Sequence, residues 1–129
     1  MKKICCLSVL ILLLSNCKQS SNLEGFDNNS WRSDLMGCQS KRANQIDDFL
    51  KIVKPYLLQN ALTEMQVRQL LGKADAIEIA ERGMKFYRYY LDKGRQCAGN
   101  TGSKQGRYIQ IRFNALNQVN EVALITPNY

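Results

Sequence analysis

The sequence predicts an α+β fold: two N-terminal helices packed on one face of a four-stranded antiparallel sheet, in the order α-α-β-β-β-β. Three observations carry this. Apolar residues recur at helical spacing only before Gly72. Beyond it, aromatic and β-branched residues gather in short runs, the clearest of which alternates in and out. Short turns separate most of these runs, which calls for antiparallel neighbours, and helices that precede strands in the chain segregate to one sheet face.

At 129 residues the chain has room for one domain. Residues 1–16 read as a signal peptide, with Lys2 and Lys3 before the apolar run Ile4–Leu14. That run is too short to span a bilayer as a helix. Its end, Leu14-Ser15-Asn16-Cys17, resembles the lipobox of bacterial lipoproteins, with Asn16 in place of the usual Gly or Ala. The resemblance implies that Cys17 is lipidated and becomes the new N-terminus. Several acyl chains would then hold the protein permanently on a membrane, since each buried methylene contributes about 0.8 kcal/mol. Lys18 follows the Cys rather than an Asp of the kind read as an inner-membrane retention signal, so the expected home is the bacterial outer membrane. Residues 17–30 are polar and Ser/Asn/Gly-bearing, read as a flexible tether, and the domain is expected over 31–129.

Loss of Lys2 and Lys3 takes the formal charge from +7 to +5. That mildly basic balance suits anionic lipid heads or an acidic partner, and is too scattered to argue for nucleic acid. Of the five cysteines, Cys5 and Cys6 leave with the signal peptide and Cys17 takes the lipid. Cys38 and Cys97 remain, and two cysteines in an exported chain read as one disulfide, the alternative being two free buried thiols. Closing that loop of about 60 residues is worth roughly 4 kcal/mol in the chain-entropy picture.

The first helix is expected over Asp34–Lys54, where Leu35, Ala43, Ile46, Phe49, Leu50 and Val53 recur at helical spacing, with Pro55 ending it. The second is punctuated more clearly. Thr63 is an N-cap, Gln66 completes a capping box, Leu62 and Val67 form a hydrophobic staple, and Gly72 closes the helix. Four strands follow: Ala76–Glu81, Lys85–Leu91, Arg107–Phe113 and Val119–Ile125. Arg82-Gly83 and Asn114–Gln118 are turn-length connections. The connection Asp92–Gly106 is longer, Gly-rich and carries Cys97, which would pin it to the first helix.

The segment Thr63-Glu64-Met65-Gln66-Val67-Arg68-Gln69-Leu70-Leu71-Gly72 is similar to the Thr-x-x-x-Val-x-x-Leu-x-Gly helix of the SmpA/OmlA (BamE-like) small outer-membrane lipoproteins. Tyr87-Arg88-Tyr89-Tyr90 and Ile109-Gln110-Ile111-Arg112-Phe113, followed by Val119 and Val122, continue the likeness over Leu62–Ile125, roughly half the chain. The order of elements also resembles the wider β-lactamase-inhibitor-protein-like fold group. Ala74 stands where the family often has Pro, and Asn117 where it has a turn Gly. The resemblance implies a non-enzymatic envelope protein, serving either outer-membrane assembly or inhibition of another protein; the long Asp92–Gly106 loop and the single disulfide are closer to the inhibitor type.

Chemistry in the chain is sparse. There is no histidine, which removes Ser-His-Asp and Cys-His arrangements and the commonest metal ligand. Asp47 and Asp48 are adjacent on a helix and diverge by roughly 100°. Glu78, Glu81 and Asp92 are scattered over strand ends, and Gly99–Lys104 lacks the spacing of a phosphate loop. No catalytic, cofactor or metal set emerges, and no small-molecule substrate is evident.

The sheet is the more informative surface. With Ile109, Ile111 and Phe113 facing the helices, Tyr108, Gln110 and Arg112 face outward. On the preceding strand the outward set is either Phe86, Arg88 and Tyr90, or Tyr87, Tyr89 and Leu91. Either choice leaves aromatics on the open face, and exposed Tyr with Arg is the composition of an interface hot spot. The bland alternative is that the tether or the middle loop covers them. The candidate binding face is therefore Phe86, Arg88, Tyr90, Tyr108, Gln110 and Arg112. The expected function is that of a lipid-anchored module binding an envelope protein, with an inhibitor or immunity-type role as the alternative.

Overall fold

A computed structural model describes residues 22–100 and 104–128 of the chain. The signal peptide and Cys17 lie outside the described residues. The fold is α+β, with helical segments followed by one antiparallel sheet of order β1-β2-β3-β4. The strands are β1 (Ala76–Ile79), β2 (Lys85–Tyr90), β3 (Tyr108–Phe113) and β4 (Val119–Ile125). Their ends fall within one or two residues of the expected ones. At β1, the chain turns at Glu81–Gly83, with Arg82 at a positive φ of 61°, before Glu81 can extend the strand.

The helical half departs from the expectation. Instead of one helix over Asp34–Lys54 there is α1 (Asn28–Ser33), a run of single turns, and then a helical stretch made of α2 (Ile46–Asp48), a π-helical turn over Phe49–Val53 and α3 (Lys54–Gln59). The interruption has a cause. Asp34 accepts from the amides of Gln39 (2.7 Å) and Arg42 (3.0 Å), diverting the chain out of a helix. Met36 and Ser40 take positive φ there. Gly37, at φ 68°, lies so close to β2 that an added Cβ would sit 2.5 Å from the Tyr90 carbonyl oxygen.

Pro55 does not end the helix. The π turn immediately before it, with the Lys54 amide bonded to the Phe49 carbonyl, widens the backbone around the ring. The helix continues to Gln59 and adds Leu57 to the core.

The tether is also shorter than expected, because the body starts well before Trp31. Phe26 and Asn28 are buried. Asn28 Nδ2 donates to the Leu70 carbonyl at 2.8 Å, holding α1 against α4 (Glu64–Leu71). Trp31 is fully buried and stacks on Phe49 at 4.7 Å, with Phe26 tilted against Trp31 and edge-on to Phe49.

α4 carries the expected punctuation. The Thr63 hydroxyl accepts from the Gln66 amide and the Gln66 side chain accepts from the Thr63 amide. Leu62 and Val67 are both buried, and Gly72 takes φ 81°. One core cluster joins Trp31, Phe49, Val53, Leu57, Val67, Leu70 and Leu71 from the helical half to Tyr87, Tyr89, Ile109, Ile111, Phe113, Val119 and Val122 from the sheet.

Under this core lies a buried ion pair. β1 pairs with β2 only as far as Ala76 opposite Arg88, two residues short of Tyr90, so among the described residues the Tyr90 amide and carbonyl have no strand neighbour on that side. Asp75 Oδ2 accepts from the Tyr90 amide (2.8 Å), and Arg42 Nη1 donates to the Tyr90 carbonyl (3.1 Å). Arg42 and Asp75 bond to each other at 2.5 Å, and Asp75 Oδ1 also accepts from the Met36 amide. The guanidinium lies between the rings of Trp31 and Tyr89, 5.4 and 5.5 Å from their centroids, and Arg42 is 1% exposed. An unpaired strand edge is thereby satisfied from inside the protein.

Candidate functional site

The β2–β3 register decides which face is open. Tyr87, Tyr89 and Leu91 are completely buried with Ile109, Ile111 and Phe113. The other face pairs Phe86 with Arg112, Arg88 with Gln110, and Tyr90 with Tyr108. All six residues of the candidate binding face thus lie on one side of two adjacent strands, away from the core.

Their environments differ. Phe86, Arg88, Tyr108, Gln110 and Arg112 are half-buried. Tyr90 is only 6% exposed, which corrects its place in the candidate face. Gln105 donates to the Tyr90 hydroxyl at 2.7 Å, and the Tyr108 ring meets it edge-on at 5.6 Å. At this end of the sheet the middle loop does cover an aromatic.

The charges on the face are matched locally. Arg88 bonds Glu78 on β1 at 2.5 Å and lies 5.1 Å from the centre of the Tyr108 ring. Arg112 bonds both Asn120 and Glu121 at 3.1 Å. Both can reach it because the β3–β4 register shifts between Arg112 and Phe113. A bulge of this kind places two residues of one strand opposite one of the other. The result is an aromatic platform, Phe86 and Tyr108, framed by two guanidinium–carboxylate pairs. Such exposed pairs hold side chains in place more than they add stability.

The loop beside the platform is braced from three directions. Cys97 forms a disulfide with Cys38, with the Cα atoms 5.8 Å apart. Arg107 grips Asp92 through Nε (2.6 Å) and Nη2 (2.9 Å), and those bonds hold the Asp92 carboxyl below the usual carboxylate range. Gln96 donates to the Met36 and Asp92 carbonyls and accepts from the Gly106 amide. Arg107 is therefore paired within the loop's own base.

Two arrangements escaped the sequence reading. One is the Arg42–Asp75 pair. The other joins Glu64 to Lys85 (2.9 Å) and to the Tyr87 hydroxyl. Burial raises the Glu64 carboxyl, but bonds from Tyr87 and Lys85 outweigh it and leave the group below its usual range. Burial and the Glu64 charge push the Tyr87 phenol upward, so it stays protonated and serves as a donor tying α4 to β2. Alternation in the sequence put Tyr87 on one face or the other, but nothing in it paired that residue with Glu64.

Among the described residues, no group of three or more His, Cys, Asp or Glu is arranged to hold a metal ion. Among them also, no helix is long and apolar enough to cross a membrane. No family model, curated protein or solved structure matches the chain.

Proposed function

We propose that the chain is a non-enzymatic, lipid-anchored protein of the bacterial cell envelope that binds another envelope protein through the outer face of β2 and β3. The observation that carries this reading is the aromatic platform of Phe86 and Tyr108 between the Arg88–Glu78 and Arg112–Glu121 pairs. Aromatic and Arg side chains held in place lose little entropy on binding and supply most interface hot spots. The lipobox-like Leu14–Cys17 supports the anchor, and the likeness of Leu62–Ile125 to the SmpA/OmlA lipoproteins supports an accessory role in outer-membrane assembly.

The bracing of the Asp92–Gly106 loop favours a second reading, an inhibitor or immunity-type lipoprotein. A disulfide, an Asp92–Arg107 bond and Gln96 fix the described parts of this loop, 92–100 and 104–106, and such bracing lowers the entropy cost of insertion into another protein's cleft.

Affinity capture from detergent-solubilised membranes separates these readings. Tyr108→Ala combined with Arg112→Ala is expected to reduce partner recovery by about ten- to a hundredfold, matching a hot-spot loss of about 1.4–2.8 kcal/mol, with unchanged thermal unfolding. Equal recovery by both proteins would remove the sheet face as the site. An inhibitor would instead form a one-to-one complex with an enzyme, lost when the loop is shortened. The anchor has its own test: Cys17→Ser is expected to move the protein from the membrane pellet to the soluble fraction, and continued sedimentation with membranes would rule out lipidation as the attachment.

A further inference from the structure

We propose that the free edge of β1 is a second docking surface, on which an extended, acidic segment of a partner protein adds as a fifth strand. β1 is an outer strand of the sheet. The Ala80 amide bonds the Met84 carbonyl, so in this antiparallel register Glu78 and Ala76 direct their backbone groups at β2. The amides and carbonyls of Ile77 and Ile79 then point to the open side. Unpaired strand groups of this kind are what an incoming extended chain recognises.

The side chains at this edge are apolar and uncovered. Ile77 is 49% exposed and Ile79 73%, although they lie on the core side of the sheet, opposite Tyr87 and Lys85. Glu64 ties α4 to Lys85 and Tyr87 on β2, and the two isoleucines beyond them stay exposed as an apolar floor along the edge. Leu35, 71% exposed, stands at the Asp75 end, because the neighbouring Met36 amide is bonded to Asp75. Alternate side chains of an added strand would pack on this floor.

Charge selects the occupant. Lys73 precedes the strand, Arg82 follows it and Arg68 stands on the exposed side of α4; among the described residues, none of the three makes an ion pair with a carboxylate. Of the carboxylates nearby, Glu78 is held by Arg88, Glu64 by Lys85 and Asp75 by Arg42, leaving Glu81 in the turn. A second copy fits poorly. Antiparallel pairing that matches Ile77 with Ile79 would set Glu78 opposite Glu78 and Lys73 beside Arg82, and directly opposed like charges are destabilising. Lys73 and Arg82 stand at the two ends of the strand, so they attract a segment that carries its carboxylates at its ends and an uncharged residue opposite Glu78.

The test uses the purified full chain and a labelled peptide with a centre of alternating valine and threonine and aspartates at both ends, with the same peptide carrying lysines at its ends as control, followed by fluorescence anisotropy. The acidic peptide is expected to bind, and more weakly as salt rises. Arg68→Glu with Arg82→Glu is expected to weaken it by about tenfold or more. Ile77→Pro removes only the outward amide and is expected to abolish binding. Should that variant misfold, Ile77→Thr with Ile79→Thr keeps strand propensity while stripping the apolar floor, and is expected to bind about tenfold more weakly. Tyr108→Ala with Arg112→Ala should bind the peptide unchanged, which separates this edge from the outer sheet face. The proposal is overturned by no binding, by equal binding of both peptides, by folded edge variants that bind like wild type, or by dimerisation that Ile77→Pro prevents.

Discussion

Asp75→Ala is expected to destabilise the domain by about 3–5 kcal/mol, the range seen when one partner of a buried ion pair is removed. The Arg42 guanidinium would remain 1% exposed with no carboxylate. The Tyr90 and Met36 amides would also lose their acceptor. Urea unfolding reads this as a lower midpoint at constant slope. Arg42→Met with Asp75→Ala should cost clearly less than the sum of the two single changes, because no ion is then left buried alone. A wild-type midpoint for Asp75→Ala would show that water, not Asp75, solvates the guanidinium.

Cys38→Ser with Cys97→Ser is expected to lower stability by roughly 4 kcal/mol, from the 59-residue separation that the disulfide closes. For a domain near a hundred residues that corresponds to a fall in Tm on the order of 15 °C or more. Reduction of the wild-type protein should reproduce the shift. Because Gln96 and the Asp92–Arg107 bond also hold the loop, hydrogen exchange should rise first around Met36 and Gln96 rather than in β2 and β3. An unchanged Tm on reduction would mean that these polar bonds alone set the loop's place.

What was legible in the sequence was local. The capping box at Thr63 and Gln66 depends on residues three apart, and the alternation Ile109, Ile111, Phe113 fixes which side of β3 is buried. On β2 alternation stopped short, because Phe86, Tyr87, Tyr89 and Tyr90 supply aromatics to both faces; the register with β3 was needed to choose. The helix expected over Asp34–Lys54 failed for a tertiary reason. Leu35 and Ala43 fit a helical stripe, but Asp34 turns its carboxylate on the amides of Gln39 and Arg42, and Gly37 must press against Tyr90. Pro55 misled in the opposite direction, since a wider turn ahead of it was invisible in composition. The polar look of residues 22–30 hid Phe26 and Asn28, whose partners lie far along the chain.

The early start of the folded body has a mechanical consequence. Leu23 already packs against the core, six residues past Cys17. Fully extended, that leash reaches about 20 Å, whereas one running to Trp31 would reach about 50 Å. With an acylated Cys17 the body would ride within a protein diameter of the bilayer, so whatever it meets must itself be embedded in, or held close to, the same lipid surface.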